Sequence, residues 1–88
     1  EDAAMLFVYE GEAYLSFWMK NTLIPLDILF LDAQGVVVDV QTMHTQIGDI
    51  DSALKRYRSA GLARFALEMN VGLAETLGIV RGTQVLFR

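Results

Sequence analysis

Apolar and polar residues alternate along most of this chain, and the period is that of β-strands rather than helices. Met5-Leu6-Phe7-Val8-Tyr9 reads as a strand, Glu10-Gly11-Glu12 as a turn, and Ala13 to Met19 as a second strand closing a hairpin. In the second strand Tyr14, Ser16 and Trp18 share one face, while Leu15, Phe17 and Met19 share the other. Leu26 to Leu31 is the most apolar run, interrupted only by Asp27, and predicts the most deeply buried strand. Asp32-Ala33-Gln34-Gly35 has turn chemistry. Val36 to Thr42 follows as a strand, with Val36, Val38 and Val40 expected inward and Asp39 and Gln41 toward water.

Met43 to Leu62 has no strand pattern, and loops of this length are often functional. Asp51 is placed to cap a helical turn over Ser52 to Tyr57. Ala63 to Met69 returns to strand, Asn70 is placed to cap a helix over Val71 to Leu77, and Gly78 to end it. Thr83 to Phe87 is the last expected strand. These elements predict a mainly β fold: a small antiparallel β-sandwich or barrel-like domain with one short α-helix. The expected core is Leu15, Phe17, Ile28, Phe30, Val38, Phe65, Leu67 and Leu77.

At 88 residues, the chain is read as a single domain, 1–88. Its 53% hydrophobic content argues against disorder. With no cysteine, disulfides, thiolate metal sites and thiol nucleophiles are excluded. No run approaches a membrane span and no signal peptide is visible. The net charge of −4 argues against nucleic acid as a partner. Lys55-Arg56-Tyr57-Arg58 is the one basic cluster with an aromatic, and the simplest reading is a solvated loop or short helix.

The chemistry centres on Asp27. A carboxylate opening a buried strand must find partners, because a lone buried charge is costly. Lys20, Asn21 and Thr22 lie just across the Pro25 bend. Arg64 and Glu68 share a strand face but sit about 13 Å apart, too far to pair with each other. The economical arrangement is one polar cluster of Lys20, Asp27, Arg64 and Glu68, either a structural ion-pair network or a binding cleft. Trp18, the only tryptophan, is either packing or a platform beside Lys20 for a planar or sugar-like ligand.

Other constellations are weaker. His44 with Asp49 and Asp51 matches no metal-ligand pattern, so no metal and no cofactor is expected. Ser16 or Ser59 with His44 lacks a nucleophile-elbow sequence. Asn70-Val71-Gly72-Leu73 opens a helix after a strand, but it lacks a glycine-rich phosphate fingerprint.

Phe17-Trp18-Met19-Lys20-Asn21-Thr22, followed by Pro25-Leu26-Asp27 and Phe30-Leu31-Asp32, resembles the domain-of-unknown-function family 192, a widespread group of uncharacterised bacterial and archaeal proteins. The likeness continues through Gly35-Val36-Val37, Tyr57 with Ser59, Ala63-Arg64-Phe65, Leu67-Glu68, Asn70-Val71-Gly72, Leu77-Gly78 and Gly82. It implies a compact β-sandwich or barrel-like domain, and no established activity comes with it. Members are often exported or membrane-anchored, so the resemblance leaves an extracytoplasmic location open without assigning one. The family's signature positions coincide with Trp18, Lys20, Asn21, Asp27, Arg64 and Glu68.

Two departures stand out. Relatives usually carry another strand and a Gly-Leu-Met segment upstream of Met5-Leu6-Phe7. They also often have Pro-Cys before the Tyr57 region and a proline near Leu62, both absent here. The first departure leaves an edge at Met5 to Tyr9 and predicts a homodimer or another strand-mediated contact.

The functional expectation is a non-enzymatic β-domain. Its polar cleft, around Trp18, Lys20, Asn21, Asp27, Arg64 and Glu68, would bind a small ligand or a partner protein. The enzyme alternative takes Asp27 or Glu68 as general base, with Lys20 or Arg64 stabilising an anion. A third class is an interaction module that uses the sheet edge.

Overall fold

A computed structural model describes residues 4–19, 24–45 and 55–86. Its strands are β1 (Met5–Ala13), β2 (Ser16–Phe17), β3 (Leu26–Leu31), β4 (Val37–Met43), β5 (Tyr57–Arg58) and β6 (Ala63–Asn70), followed by helix α1 (Leu73–Thr76). Four of them form an antiparallel sheet in the order β1-β6-β3-β4, and β2 pairs with β5 in a separate ribbon. The fold is mainly β, with one short helix among the described residues. The four-stranded sheet is open, with β1 and β4 at its edges.

β3 lies inside the sheet, paired with β4 on one side and β6 on the other. A strand so placed has both faces covered, which is why it is apolar throughout rather than alternating. Ile28, Leu29, Phe30 and Leu31 are all fully buried. Their side chains alternate between two layers. Ile28 and Phe30 pack with Leu15, Met19, Met43, Tyr57 and Ala66 on the ribbon side. Leu29 and Leu31 pack with Val37, Met69 and Ala74 on the helix side.

The turn at Asp32 to Gly35 forms as expected. Asp32 Oδ1 accepts from the Gln34 and Val36 backbone N–H groups at 2.9 and 3.0 Å. Gly35 has φ 81°, and an added Cβ would lie 2.7 Å from the Val85 carbonyl oxygen, so both conformation and space select glycine.

Several expectations are corrected. Met5 to Tyr9 does not fold back on Ala13 to Met19. β1 runs through Glu10-Gly11-Glu12 and pairs with β6, from Met5↔Glu68 to Ala13↔Ala63. The turn residues are absorbed in a register irregularity between Val8 and Ala13, and Gly11 is not among the positive-φ glycines. Only Ser16–Phe17 of the second expected strand is strand.

A bulge lies where β3 advances from Phe30 to Leu31 while β4 passes from Asp39 to Val37. The extra residue is Val38, which packs on the ribbon layer, whereas Val37 and Val40 pack on the helix layer. The three alternate valines therefore do not share one side. Thr83 to Phe87 is reduced to a single bridge, Val36↔Gln84, supported by Val37 N–H to Thr83 O at 2.9 Å and Val85 N–H to Gly35 O at 2.9 Å; Phe87 lies outside the described residues.

In the expected core, Leu15, Ile28 and Phe30 are buried, while Phe17, Val38, Phe65 and Leu67 are partly buried against the two clusters. Leu77 is 60% exposed. The helix is only four residues long, and Ala74 is its buried contact with the sheet. Gly78 does end it in the left-handed region, at φ 70°. The helical turn expected from Asp51 begins outside the described residues, and Tyr57 at its far end is strand.

Candidate functional site

Asp27 is 4% exposed, and its partners are not cations. Thr42 Oγ1 donates to Asp27 Oδ1 at 2.9 Å. The backbone N–H groups of Gly72 and Ala74 donate to Oδ2 at 3.0 and 3.2 Å. Asp27 thus satisfies the open N-terminus of α1 from a distant strand, in the manner of a helix cap. Gly72 occupies the N-cap position at φ 87° and makes no side-chain bond of its own, which corrects the expectation that Asn70 caps the helix. Asp27 borders a depression of about 430 Å³ between β4 and the helix, but both of its oxygens are already committed.

Arg64 and Glu68 are elsewhere. Asp27 is in register with Met69, so Arg64 is five positions away along β6, roughly 16 Å. Arg64 and Glu68 alternate with Met69, and Glu68 stands opposite Ile28 on the ribbon side, whereas Asp27 faces the helix. Arg64 Nε donates to the Tyr9 carbonyl at 2.9 Å, and its guanidinium lies 5.2 Å from the centre of the Phe65 ring. Trp18 directly follows β2, with the guanidinium of Arg56, which directly precedes β5, 3.9 Å from its ring centre. Lys20 and Asn21 lie outside the described residues. The four described members of the proposed cluster therefore hold separate positions.

Glu68 lines a different cleft from the one beside Asp27. A cavity of about 280 Å³ opens between the start of β1, the approach to β3 and the end of β6, lined by Ala4, Met5, Ile24, Leu26, Met69 and Asn70 around the Glu68 side chain. No described residue donates to the Glu68 carboxylate or pairs with it. Its oxygens are not fully buried, since among the described residues no fully buried side-chain oxygen lacks a partner. Burial among these walls raises the Glu68 carboxyl above the usual glutamate value, because the apolar surroundings penalise its charged form. Met5 and Leu26 were legible as strand residues, but their approach to Glu68 depends on β1 pairing with β6.

The other sequence candidates resolve into structure. Ser59 is buried and pairs reciprocally with Leu15: its Oγ accepts from Leu15 N–H at 3.0 Å, and its own N–H donates to Leu15 O at 2.8 Å. The exposed His44 donates its backbone N–H to the Tyr57 hydroxyl at 3.1 Å. Asp49 and Asp51 lie outside the described residues. Among the described residues no three His, Asp or Glu side chains converge as metal ligands, and no helix is long and apolar enough to cross a membrane.

An open antiparallel sheet, flanked by a short ribbon and a helical turn, with a carboxylate-bearing apolar cleft at one end, defines a small mixed-layer β-domain. The chain belongs to domain-of-unknown-function family 192, described as uncharacterized ACR, whose profile matches residues 1–87. It is similar to a protein of unknown function from Novosphingobium aromaticivorans DSM 12444, with 33% identity, TM-score 0.79, and coverage of 96% of this chain and 56% of that one. It is also similar to a candidate transcription regulator from Sinorhizobium meliloti 1021, with 28% identity, TM-score 0.74, and coverage of 90% and 57%. The chain spans a little over half the length of either structure. No curated protein matches it.

Proposed function

We propose that this domain binds a small ligand, without catalysis, in the cleft around Glu68. The observation that carries the reading is a carboxylate with no partner among the described residues, set in mostly apolar walls. Such a site fits a ligand with an apolar body against Met5, Ile24 and Leu26 and a cationic or hydrogen-bond-donating group on Glu68. Lys20 and Asn21, in the family's signature stretch, remain part of the proposal on sequence grounds. Asp27, Arg64 and Trp18 take other roles. The enzyme reading loses Asp27 as a base, since its oxygens hold a helix terminus and Thr42.

A thermal-shift screen of small amines and neutral hydrogen-bond donors tests the proposal, because a ligand that binds only the folded state raises its melting temperature. The expected result is a subset of compounds that stabilises the wild type and has no effect on Glu68→Gln. Absence of any stabilising compound, or equal shifts in Glu68→Gln, overturns it.

A second reading rests on a different observation. β1 is a sheet edge, and Met5, Leu6, Val8 and Tyr9 on it are 59%, 40%, 59% and 37% exposed. Edges of this kind recruit strands, and a homodimer through β1 follows. Light scattering at high concentration tests it: a dimer lost on Leu6→Pro supports the reading, and a monomer at all concentrations counts against it.

A further inference from the structure

We propose that the outer face of the β2–β5 ribbon docks an extended acidic peptide segment, with carboxylates at alternate positions received by Arg56 and Arg58. The ribbon has two distinct faces. Leu15, Met19, Tyr57 and Ser59 are buried on the inner one. On the outer one Tyr14 and Trp18 are 52% and 39% exposed, and Ser16, Arg56 and Arg58 are exposed beside them.

The register Ser16↔Arg58 and Phe17↔Tyr57 brings Trp18 opposite Arg56 and sets Tyr14 diagonal to Arg58. The Arg56 guanidinium accordingly lies 3.9 Å from the Trp18 ring centre, and that of Arg58 lies 4.8 Å from Tyr14. Each cation is held by an aromatic face rather than by an acid: among the described residues, no carboxylate pairs with either guanidinium.

Stacking fixes a guanidinium without using its in-plane N–H groups, so the fork stays free for a carboxylate at little further entropic cost. Arg58 is also anchored through its backbone, where Gln41 Nε2 donates to Arg58 O at 2.7 Å. Arg58 ends β5 and Arg56 directly precedes it, two positions apart; at strand rise that is roughly 7 Å, the repeat of alternate residues in an extended peptide. Arg56 and Arg58 are exposed cations on a chain of net charge −4, and the nearby Asp39 carboxylate is committed to Gln41 Nε2 and the Ala60 N–H at 2.7 and 2.9 Å. A short segment that needs only these two cations suits this face, whereas a long polyanion would meet repulsion from the remaining surface.

Trp18 is the only tryptophan, so intrinsic fluorescence reads the site directly. The probe is a seven-residue peptide alternating glutamate and threonine. The expected result is a saturable fluorescence change with wild type that weakens as salt rises. Binding should fall at least about tenfold in R56Q/R58Q and stay unchanged in R81Q, which alters an exposed turn away from the ribbon. If R56Q/R58Q fails to fold, the single variant R58Q decides, with a loss of about threefold or more expected. The proposal is overturned by the absence of a saturable signal with wild type up to about 5 mM peptide. Undiminished binding by the folded glutamine variant, or tighter binding of an oligothymidylate than of the peptide, also overturns it.

Discussion

The Asp27 carboxylate accepts a hydrogen bond from the Ala74 backbone N–H at 3.2 Å, joining the buried central strand to a helix 47 positions further along the chain. The same oxygen takes the Gly72 N–H at 3.0 Å. This pairing makes Asp27 a structural residue. Asp27→Asn can present only one accepting oxygen and should lower stability by about 1–3 kcal/mol in denaturant unfolding. Ligand binding at the Glu68 cleft should survive. A variant as stable as the parent would contradict the role.

Phe30 is fully buried and lies 5.9 Å from Phe17, ring centre to ring centre, in the ribbon-side core. Phe30→Ala should cost about 3–5 kcal/mol, a large share of what a domain this small possesses. Loss of the cooperative melting transition, or a fall of many degrees, is the expected observation. Melting within a few degrees of the parent would refute the placement of Phe30.

Glu68 should impose a pH dependence of definite sign. Its carboxyl is raised in the folded state by desolvation. The protonated form is therefore favoured on folding, and that contribution is fully present below the unfolded glutamate pKa and lost as pH rises through the raised folded value. Glu68→Gln removes the charge that burial penalises. Its melting temperature should exceed the parent's at pH 7 by more than at pH 3.5. A difference independent of pH would contradict the assignment.

Much of the fold is legible from local pattern. β3, the Asp32 to Gly35 turn and β6 follow from an apolar run, a turn tetrad and an alternating stretch. What escapes is non-local. Glu10-Gly11-Glu12 has the residues of a turn, yet pairing with β6 carries β1 straight through it. Leu77 fits a helical stripe that ends one residue too soon to bury it. The need of Asp27 for partners is legible, but not their identity. A search for cations overlooks backbone N–H groups at a helix start, although Gly72, which has no capping side chain, is the signal that another residue must supply one. Glu68 is legible as a site candidate by residue type, while its cleft requires the β1–β6 register.

The central claim, a ligand site in the Glu68 cleft, is tested most directly by amide chemical-shift mapping with a stabilising compound from the thermal screen. Shifts should concentrate at Met5, Leu26 and Glu68 to Asn70 and spare Arg56 and Arg58. They should vanish in Met5→Trp, which fills the cleft from a residue 59% exposed. Shifts centred on another surface, or persisting in full in Met5→Trp, would contradict the account.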